Sequence, residues 1–115
     1  MNVLLEKNDR AASITLERPP LNVLNLSMLR ELQAALDSVR GDDALDFLLI
    51  RGSGERAFSA GVDVQDHTRE KVPEMLEVVH GVIRSLLSLP QITIALVRGA
   101  CLGGGCEIAS SCDFI

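Results

Sequence analysis

Two glycine-containing segments hold the residue types in this sequence that could do chemistry. The first reads RAFSAGVD over residues 56–63, and the second reads RGACLGGGCE over residues 98–107. Small residues around Gly61 would let bare backbone N–H groups approach a ligand closely. The glycine triplet at residues 103–105 begins a predicted helix, whose free N–H groups and positive dipole end favour an anion or a developing oxyanion. Taken alone, such a triplet more often forms a tight strand-to-helix turn than a binding site.

Each segment follows a short apolar run, which predicts where it lies in the fold. Residues 47–50 are a continuous apolar run, and residues 92–97 are a longer, mainly apolar one, which is typical of strands buried on both faces of a sheet. The first run is expected to lead into a loop that extends to about Thr68. Open α/β sheets bind ligands at the loops that follow such strands. The order of elements therefore predicts that the two glycine segments form the ligand site.

Helices are expected to alternate with these strands. Ser27 is the expected N-cap of a first helix that stops at Gly41. Pro73 opens a second helix, whose residues 75–87 carry a wide apolar stripe. With an expected hairpin over residues 3–16 and a short helix after the glycine triplet, the order ββαβαβα predicts an α/β fold.

Length and composition limit the class of protein. A chain of 115 residues and 12.4 kDa with 47% hydrophobic residues fits a single globular domain. Its 11 Lys and Arg against 16 Asp and Glu give a net charge of −5, which removes the attraction on which nucleic-acid binding relies. The three Phe and the absence of Trp and Tyr leave no stacking platform for single strands. We therefore expect one domain over residues 1–115 and no nucleic-acid partner.

The cysteines and the charge pattern of the N-terminus narrow the class further. Cys101, Cys106 and Cys112 have spacings of five and six, which match neither a zinc-ligand pair nor CxxC, and their odd number disfavours a disulfide scaffold. Charged residues among the first ten positions do not suit a signal peptide. The apolar run at residues 92–97 is too short to span a bilayer. These features predict a cytoplasmic protein with no metal site and no membrane partner.

The two glycine segments, considered together, resemble the signature of the enoyl-CoA hydratase/isomerase (crotonase) family. FSAGVD at residues 58–63 and GACLGGGCE at residues 99–107 carry the resemblance. RPPLNVL at residues 18–24 is similar to the family's early RPxxNxL segment, and CDFI at residues 112–115 is similar to the strand after its second motif. The resemblance implies a crotonase-like ββα spiral fold, of which this chain is the N-terminal portion, truncated before a C-terminal helical segment.

The resemblance also implies roles for residues of both segments. The backbone N–H groups of Ala60 and Gly104 would stabilise the oxyanion of an enolate, because such donors act where negative charge develops. Glu107 would serve as general acid/base on water. The residues expected to contact the substrate are Ala60, Gly61, Val62, Asp63 and Gly104.

Each polar candidate also has a structural interpretation. Glu107 suits the first turn of a helix, where a solvated glutamate is stabilised by the helix dipole. Asp63 either touches the pantetheine or caps the turn after Gly61, and both interpretations stay open. His67, in a polar loop, is expected to be solvated, and His80 is expected to be a partly buried structural histidine.

The activity implied by the resemblance is an acyl-CoA lyase reaction of fatty-acid or aromatic-acid metabolism, the hydration of an enoyl-CoA or a cyclic dienoyl-CoA. VQDH at residues 64–67 and RPPLNVLN at residues 18–25 are similar to cyclohexa-1,5-dienecarbonyl-CoA hydratases. The alternatives are enoyl-CoA isomerisation or another reaction of the same enolate, and a truncated, non-catalytic acyl-CoA-binding subunit. CoA would be part of the substrate, so no separate cofactor is expected. The resemblance implies a homotrimer or a dimer of trimers.

Overall fold

A computed structural model describes residues 1–63, 65 and 68–115 of the chain. Its strands are β1 (Val3–Asn8), β2 (Ala11–Leu16), β3 (Phe47–Gly52), β4 (Ala57–Ser59), β5 (Ile92–Leu96) and β6 (Ala100–Cys101). Its helices are α1 (Leu26–Arg40), α2 (Val72–Ser88) and α3 (Gly104–Ser110). β1, β2, β3 and β5 form the main sheet in that order, and β4 pairs with β6 in a second sheet. The predicted α/β class is confirmed, with two short strands added to the expected order.

The main sheet begins with a hairpin and continues with parallel strands. β1 and β2 pair antiparallel around a turn in which Asp9 takes a φ of +58°. β2 is parallel to β3, and β3 is parallel to β5, with Ile14 beside Ile50 and Ile50 beside Ala95. Parallel neighbours need crossover connections, and α1 and α2 supply them. The carboxyl ends of β2 and β3 therefore lie at one edge of the sheet, where the 18–24 segment begins.

Only one face of the main sheet is covered by the helices. Ile14, Leu48, Ile50 and Ala95 point into the core, and the neighbouring positions on β3 and β5 are more exposed. The prediction that β3 and β5 are buried on both faces is wrong, because Phe47, Ile92 and Leu96 on the outer face are 39–48% exposed. An open depression of about 830 Å³ on this face contains neither residues 60–63 nor residues 103–107.

The helix boundaries follow the cap residues with one correction. Asn25, rather than Ser27, is the N-cap of α1, because its side-chain oxygen accepts a hydrogen bond of 2.8 Å from Met28 N. Ser27 lies inside the first turn. Gly41 ends α1 and Pro73 lies in the first turn of α2, as predicted.

The apolar stripe of α2 is narrower than the sequence suggested. Met75, Val79, Val82 and Leu86 are buried and belong to the same core cluster as one face of α1. Leu76 and Leu87, which the predicted stripe included, are 44% and 68% exposed. Helical periodicity correctly identified the buried positions of α2. The exposed leucines made the predicted apolar face wider than the face that packs against the core.

The 3-residue strand β4 was not expected, because its residues fall in the predicted loop. Ala57, Phe58 and Ser59 are all buried, and β4 pairs in parallel with β6. This pairing joins the two glycine segments directly. It also places the residues after Ser59 beside the start of α3.

Core packing between the sheet and α1 predicts a large cost for truncating Leu32. Leu32→Ala removes a side chain that is 0% exposed, and we expect the free energy of unfolding to fall by about 2–5 kcal/mol. The matched control is Leu87→Ala, the same substitution at a 68% exposed helical position, which should cost less than about 1 kcal/mol. Urea unfolding measures both. Equal losses in the two variants would contradict this description of the core.

The contact between α3 and β4 predicts that Gly105 tolerates no side chain. A Cβ at Gly105 would lie 2.4 Å from Ser59 O and 2.7 Å from Ser59 Cβ. We expect Gly105→Ala to destabilise the protein by about 1–3 kcal/mol. Gly81→Ala is the matched control, because a Cβ there meets only Gln33 Oε1 at 3.7 Å and should stabilise α2 by about 1 kcal/mol. Destabilisation by both substitutions in urea unfolding would point to a general intolerance of helix changes instead.

Candidate active site

The two glycine segments meet, as the order of strands predicted. Leu102 N donates a hydrogen bond of 3.0 Å to Ser59 O, and Ala100 N donates one of 3.0 Å to Arg56 O. We call residues 59–63 the first-motif loop and residues 102–105 the glycine turn. A Cβ placed at Gly61 would lie 3.2 Å from Leu102 O, so the loop and the turn touch through their backbones.

Two glycines in this contact have backbone conformations that other residues rarely adopt. Gly61 has a φ of +111°, and Gly103 has a φ of +51°. Gly103 is the residue that precedes α3, and it lets the chain turn from β6 into the helix. The prediction of a tight strand-to-helix turn is therefore confirmed, together with its closeness to the first segment.

Gly104 is the first residue of α3 and lies against Val62. A Cβ at Gly104 would come within 2.9 Å of Val62 Cγ2 and 3.9 Å of Val62 N. Gly104 is buried, and its N–H makes no hydrogen bond in the part of the chain that the structure describes. Helix starts leave such donors unpaired. The Gly104 N–H is thus available to a ligand atom, which is what the assignment as an oxyanion donor requires.

The Ala60 N–H, by contrast, already has an acceptor. It donates a hydrogen bond of 3.0 Å to Leu21 O, in the 18–24 segment. An amide committed to a backbone carbonyl cannot point at a second acceptor with good geometry. The role of Ala60 as an oxyanion donor stays a prediction, and this geometry does not favour it.

The neighbouring amide of Val62 is better placed. Leu24 and Val62 form a parallel bridge, in which Leu24 N donates to Gly61 O and Asp63 N donates to Leu24 O, both at 2.8 Å. The Gly61 carbonyl accepts from Leu24 N, and it lies opposite the Val62 N–H in the same trans peptide group, so the Val62 N–H faces away from Leu24. Among residues 1–63, 65 and 68–115 it makes no hydrogen bond, and it lies beside Gly104.

Glu107 lies one turn beyond the glycine turn. Its N–H donates a hydrogen bond of 3.0 Å to Gly103 O, which places Glu107 in the first turn of α3. The residue is exposed, and its carboxylate forms no ion pair or hydrogen bond with the described part of the chain. An unengaged carboxylate near the glycine turn fits the predicted general acid/base, which stays a prediction.

Asp63 has structural partners for both of its carboxylate oxygens. Oδ2 accepts a hydrogen bond of 3.0 Å from Arg18 Nη1, and Oδ1 accepts one of 3.0 Å from Gln65 N. The second contact caps the turn after Gly61. Of the two interpretations that the sequence left open, the turn cap is the one that the structure shows.

The 18–24 segment forms the other wall of the site. Together with Ala60, Val62 and Asp63, it lines an open cavity of about 430 Å³. Asn22, which the sequence analysis did not single out as a site residue, fixes this segment. It is fully buried, its Oδ1 accepts a bond from Arg18 N at 2.9 Å, and its Nδ2 donates to Ala57 O at 2.9 Å. The RPxxNxL pattern was the available signal for this role.

The cysteines near the site are free thiols. Cys101 and Cys112 have raised pKa values because partial burial disfavours the thiolate, and the pKa of Cys112 reaches about 11. Cys106 is exposed. Within residues 1–63, 65 and 68–115, no three His, Cys, Asp or Glu side chains are grouped so that they could hold a metal ion.

The two histidines have different outcomes. His80 is exposed on α2, so the prediction that it is partly buried is wrong, because it points away from the packed face of the helix. His67 lies outside the described residues.

Among the helices described, none has the length and apolar character needed to cross a membrane.

Proteins of known sequence are similar to nearly the whole length of this chain. The profile of a family described as enoyl-CoA hydratase/isomerase matches residues 6–115. A crotonyl-CoA hydratase of Syntrophomonas wolfei is 37% identical over 98% of this chain and 45% of its own length. A cyclohexa-1,5-dienecarbonyl-CoA hydratase of Thauera aromatica is 32% identical over 96% of this chain and 43% of its own length.

Solved structures of the same family have the fold of this chain. An enoyl-CoA hydratase of Bacillus anthracis superimposes with a TM-score of 0.94 and 30% identity over 99% of this chain and 46% of that chain. The predicted crotonase-like fold is confirmed. The chain spans less than half the length of the relatives it matches. With the family profile covering nearly every residue, the chain belongs to the enoyl-CoA hydratase/isomerase family.

Proposed function

We propose that the complete protein hydrates the double bond of an enoyl-CoA or a cyclic dienoyl-CoA. One observation carries the proposal. Val62 N would lie 3.9 Å from a Cβ placed at Gly104, and among the described residues neither the Val62 N–H nor the Gly104 N–H has an acceptor. Relatives that are 37% and 32% identical to this chain are named as hydratases of such thioesters, which supports the choice of substrate class.

The chemistry of a thioester explains why two amides would serve this reaction. Adding water to the double bond of an enoyl thioester delivers negative charge to the carbonyl oxygen, and an enolate forms. Two N–H donors at that oxygen stabilise the enolate more than the ground-state carbonyl, which lowers the barrier. Removing one such donor typically costs about 3 kcal/mol of transition-state stabilisation. In the proposal, Val62 and Gly104 supply the donors, and Ala60 and Gly61 shape the loop.

Glu107 supplies the proton transfer in this proposal. It follows the glycine turn on the first turn of α3, within reach of a group bound at the Gly104 N–H. As a carboxylate it would take a proton from the attacking water, and as a carboxylic acid it would return a proton to the α-carbon. The proposed contacts of Val62 and Gly104 are to the thioester oxygen, whereas Ala60, Gly61 and Asp63 act on the shape of the loop.

Two alternatives use the same site. An isomerase would move the proton between carbons of the enolate and consume no water. A non-catalytic subunit would bind acyl-CoA without turnover. Glu107 favours hydration over binding alone, because a binding module needs no acid/base beside the thioester. A trimer or a dimer of trimers belongs to the same proposal, and the apolar outer face of the sheet, with Phe47 and Leu96 partly exposed, offers surface for it.

The test is the Glu107→Gln substitution in the complete protein. We expect kcat for hydration to fall roughly 10²–10⁴-fold, because the amide cannot transfer the proton. The dissociation constant for the acyl-CoA should change little, because the amide keeps the shape of the carboxylate. Loss of the enoyl thioester's ultraviolet absorbance measures turnover with a straight-chain 2-enoyl-CoA and a cyclic dienoyl-CoA, and calorimetry measures binding.

Glu77→Gln, at an exposed position of α2, is the matched control and should retain the parental rate. Hydration by Glu107→Gln at the parental rate would remove Glu107 from the mechanism. A shifted double bond without added water in the parental protein would select isomerisation, and tight binding without turnover would select the binding subunit.

A further inference from the structure

We propose that the ion pair of Arg18 and Asp63 is a positioning device that holds the Val62 N–H in the direction that the reaction needs. The inference rests on the proposed function, since it names what orients one of the two donors. It assigns to Asp63 no contact with the substrate. Arg18 and Asp63 are 45 positions apart in the chain, and they join the 18–24 segment and the first-motif loop, which line the cavity of about 430 Å³.

The contacts of Arg18 connect the 18–24 segment to the first-motif loop through one nitrogen. Its Nη1 donates to Val23 O at 2.9 Å and to Asp63 Oδ2 at 3.0 Å. The Arg18 and Asp63 side chains are 34% and 14% exposed, so the pair is partly shielded from water. A shielded, hydrogen-bonded pair fixes geometry better than an exposed one, because water competes less for each partner.

The backbone contacts beside this pair determine where the Val62 amide points. Leu24 N donates to Gly61 O, and Asp63 N donates to Leu24 O, so that Val62 lies between two fixed peptide groups. Rotation of either peptide would turn the Val62 N–H away from Gly104. The ion pair acts at the second of these anchors, because it fixes the side chain of the residue whose N–H bonds to Leu24.

Both carboxylate oxygens of Asp63 are already engaged within the protein. Oδ2 is paired with the guanidinium, and Oδ1 accepts the Gln65 N–H. The positive charge of Arg18 is likewise compensated within the protein. The pair therefore offers a ligand little net charge, and its effect on the reaction runs through the geometry of the loop.

The test compares Asp63→Asn and Arg18→Gln in the complete protein with a matched pair elsewhere. Arg10 and Asp46 form an ion pair at the amino-terminal ends of β2 and β3, whereas the 18–24 segment follows the carboxyl end of β2. Arg10→Gln and Asp46→Asn therefore change the same residue types far from the loop. Amide hydrogen exchange, read by NMR without substrate, is the first measurement. We expect protection at the Leu24 and Asp63 amides to fall roughly tenfold in the loop variants and to stay unchanged in the controls.

Steady-state kinetics is the second measurement. A misdirected N–H donor stabilises the transition state less, and it affects substrate binding to a smaller extent. We therefore expect kcat to fall roughly 10- to 100-fold while KM changes less than about threefold. The double variant should lose no more than either single variant, because both break one interaction. Arg18→Lys should retain most of the rate, since a single nitrogen makes both contacts, and it remains measurable if Arg18→Gln does not fold.

The outcomes separate this inference from the proposed function. Unchanged protection at Leu24 and Asp63 in folded loop variants overturns it, whatever the activity. A raised KM at parental kcat also overturns it, because that pattern shows a substrate contact instead. If the parental protein turns over no acyl-CoA, the proposed function fails, and the exchange data alone decide whether the ion pair orients the loop.

Discussion

The backbone contact between the first-motif loop and the glycine turn is the constraint on which the site depends. At Gly105 a Cβ would collide with Ser59, and at Gly104 it would press on Val62. The absence of side chains lets two chain segments more than 40 residues apart in sequence approach until their amides are adjacent. An unpaired buried N–H costs about 1–3 kcal/mol. Gly104 is buried and its N–H has no acceptor among the described residues, so the surrounding contacts must hold the backbone in this arrangement.

The 18–24 segment supplies most of those surrounding contacts. Leu21 O engages the Ala60 amide, Leu24 brackets Val62, and Arg18 holds the Asp63 side chain. The segment is itself anchored by the buried amide of Asn22, whose conformation has a φ of +51°. The main sheet positions this assembly because β2, which leads into the segment, is in parallel register with β3. The positions of the Ala60 and Val62 amides therefore depend on the main sheet through the hydrogen bonds of the 18–24 segment.

The sequence predicted the parts of this arrangement that depend on local residue types. Gly41 and Pro73 marked helix ends, the period of α1 and α2 marked buried faces, and the glycine triplet marked the turn into α3. Strands β4 and β6 have three and two residues, which is too few to show the alternation of buried and exposed side chains typical of a strand. Both lie in segments that were predicted to be loops or turns. Asn25 and Ser27 are both residue types that cap helices well. Because Leu24 is held in a bridge with Val62, α1 begins directly after Asn25, and Asn25 is the cap.

The choice between Ala60 and Val62 shows why the rest could not be read from the sequence. A motif gives the spacing of residues, but which amide stays free depends on acceptors roughly 40 positions away in the chain. Leu21 O accepts from the Ala60 N–H, whereas the bridge at Leu24 leaves the Val62 N–H facing away from Leu24. Similarly, the apolar runs of β3 and β5 could not show that the helices cover only one face of the sheet.

In the proposed mechanism the hydrogen-bond donors are backbone N–H groups, and this limits how far they can discriminate between different acyl groups. The two amides would bind the thioester oxygen, an atom that every acyl-CoA shares, so they stabilise the same intermediate whichever acyl group is attached. Discrimination between a straight-chain and a cyclic acyl group needs side chains that touch the carbons beyond the thioester. Relatives named for a four-carbon and for a cyclic thioester match this chain over nearly its whole length, at 37% and 32% identity. An oxyanion site built from backbone N–H groups is compatible with both kinds of relative, because many different side chains can surround the same backbone geometry.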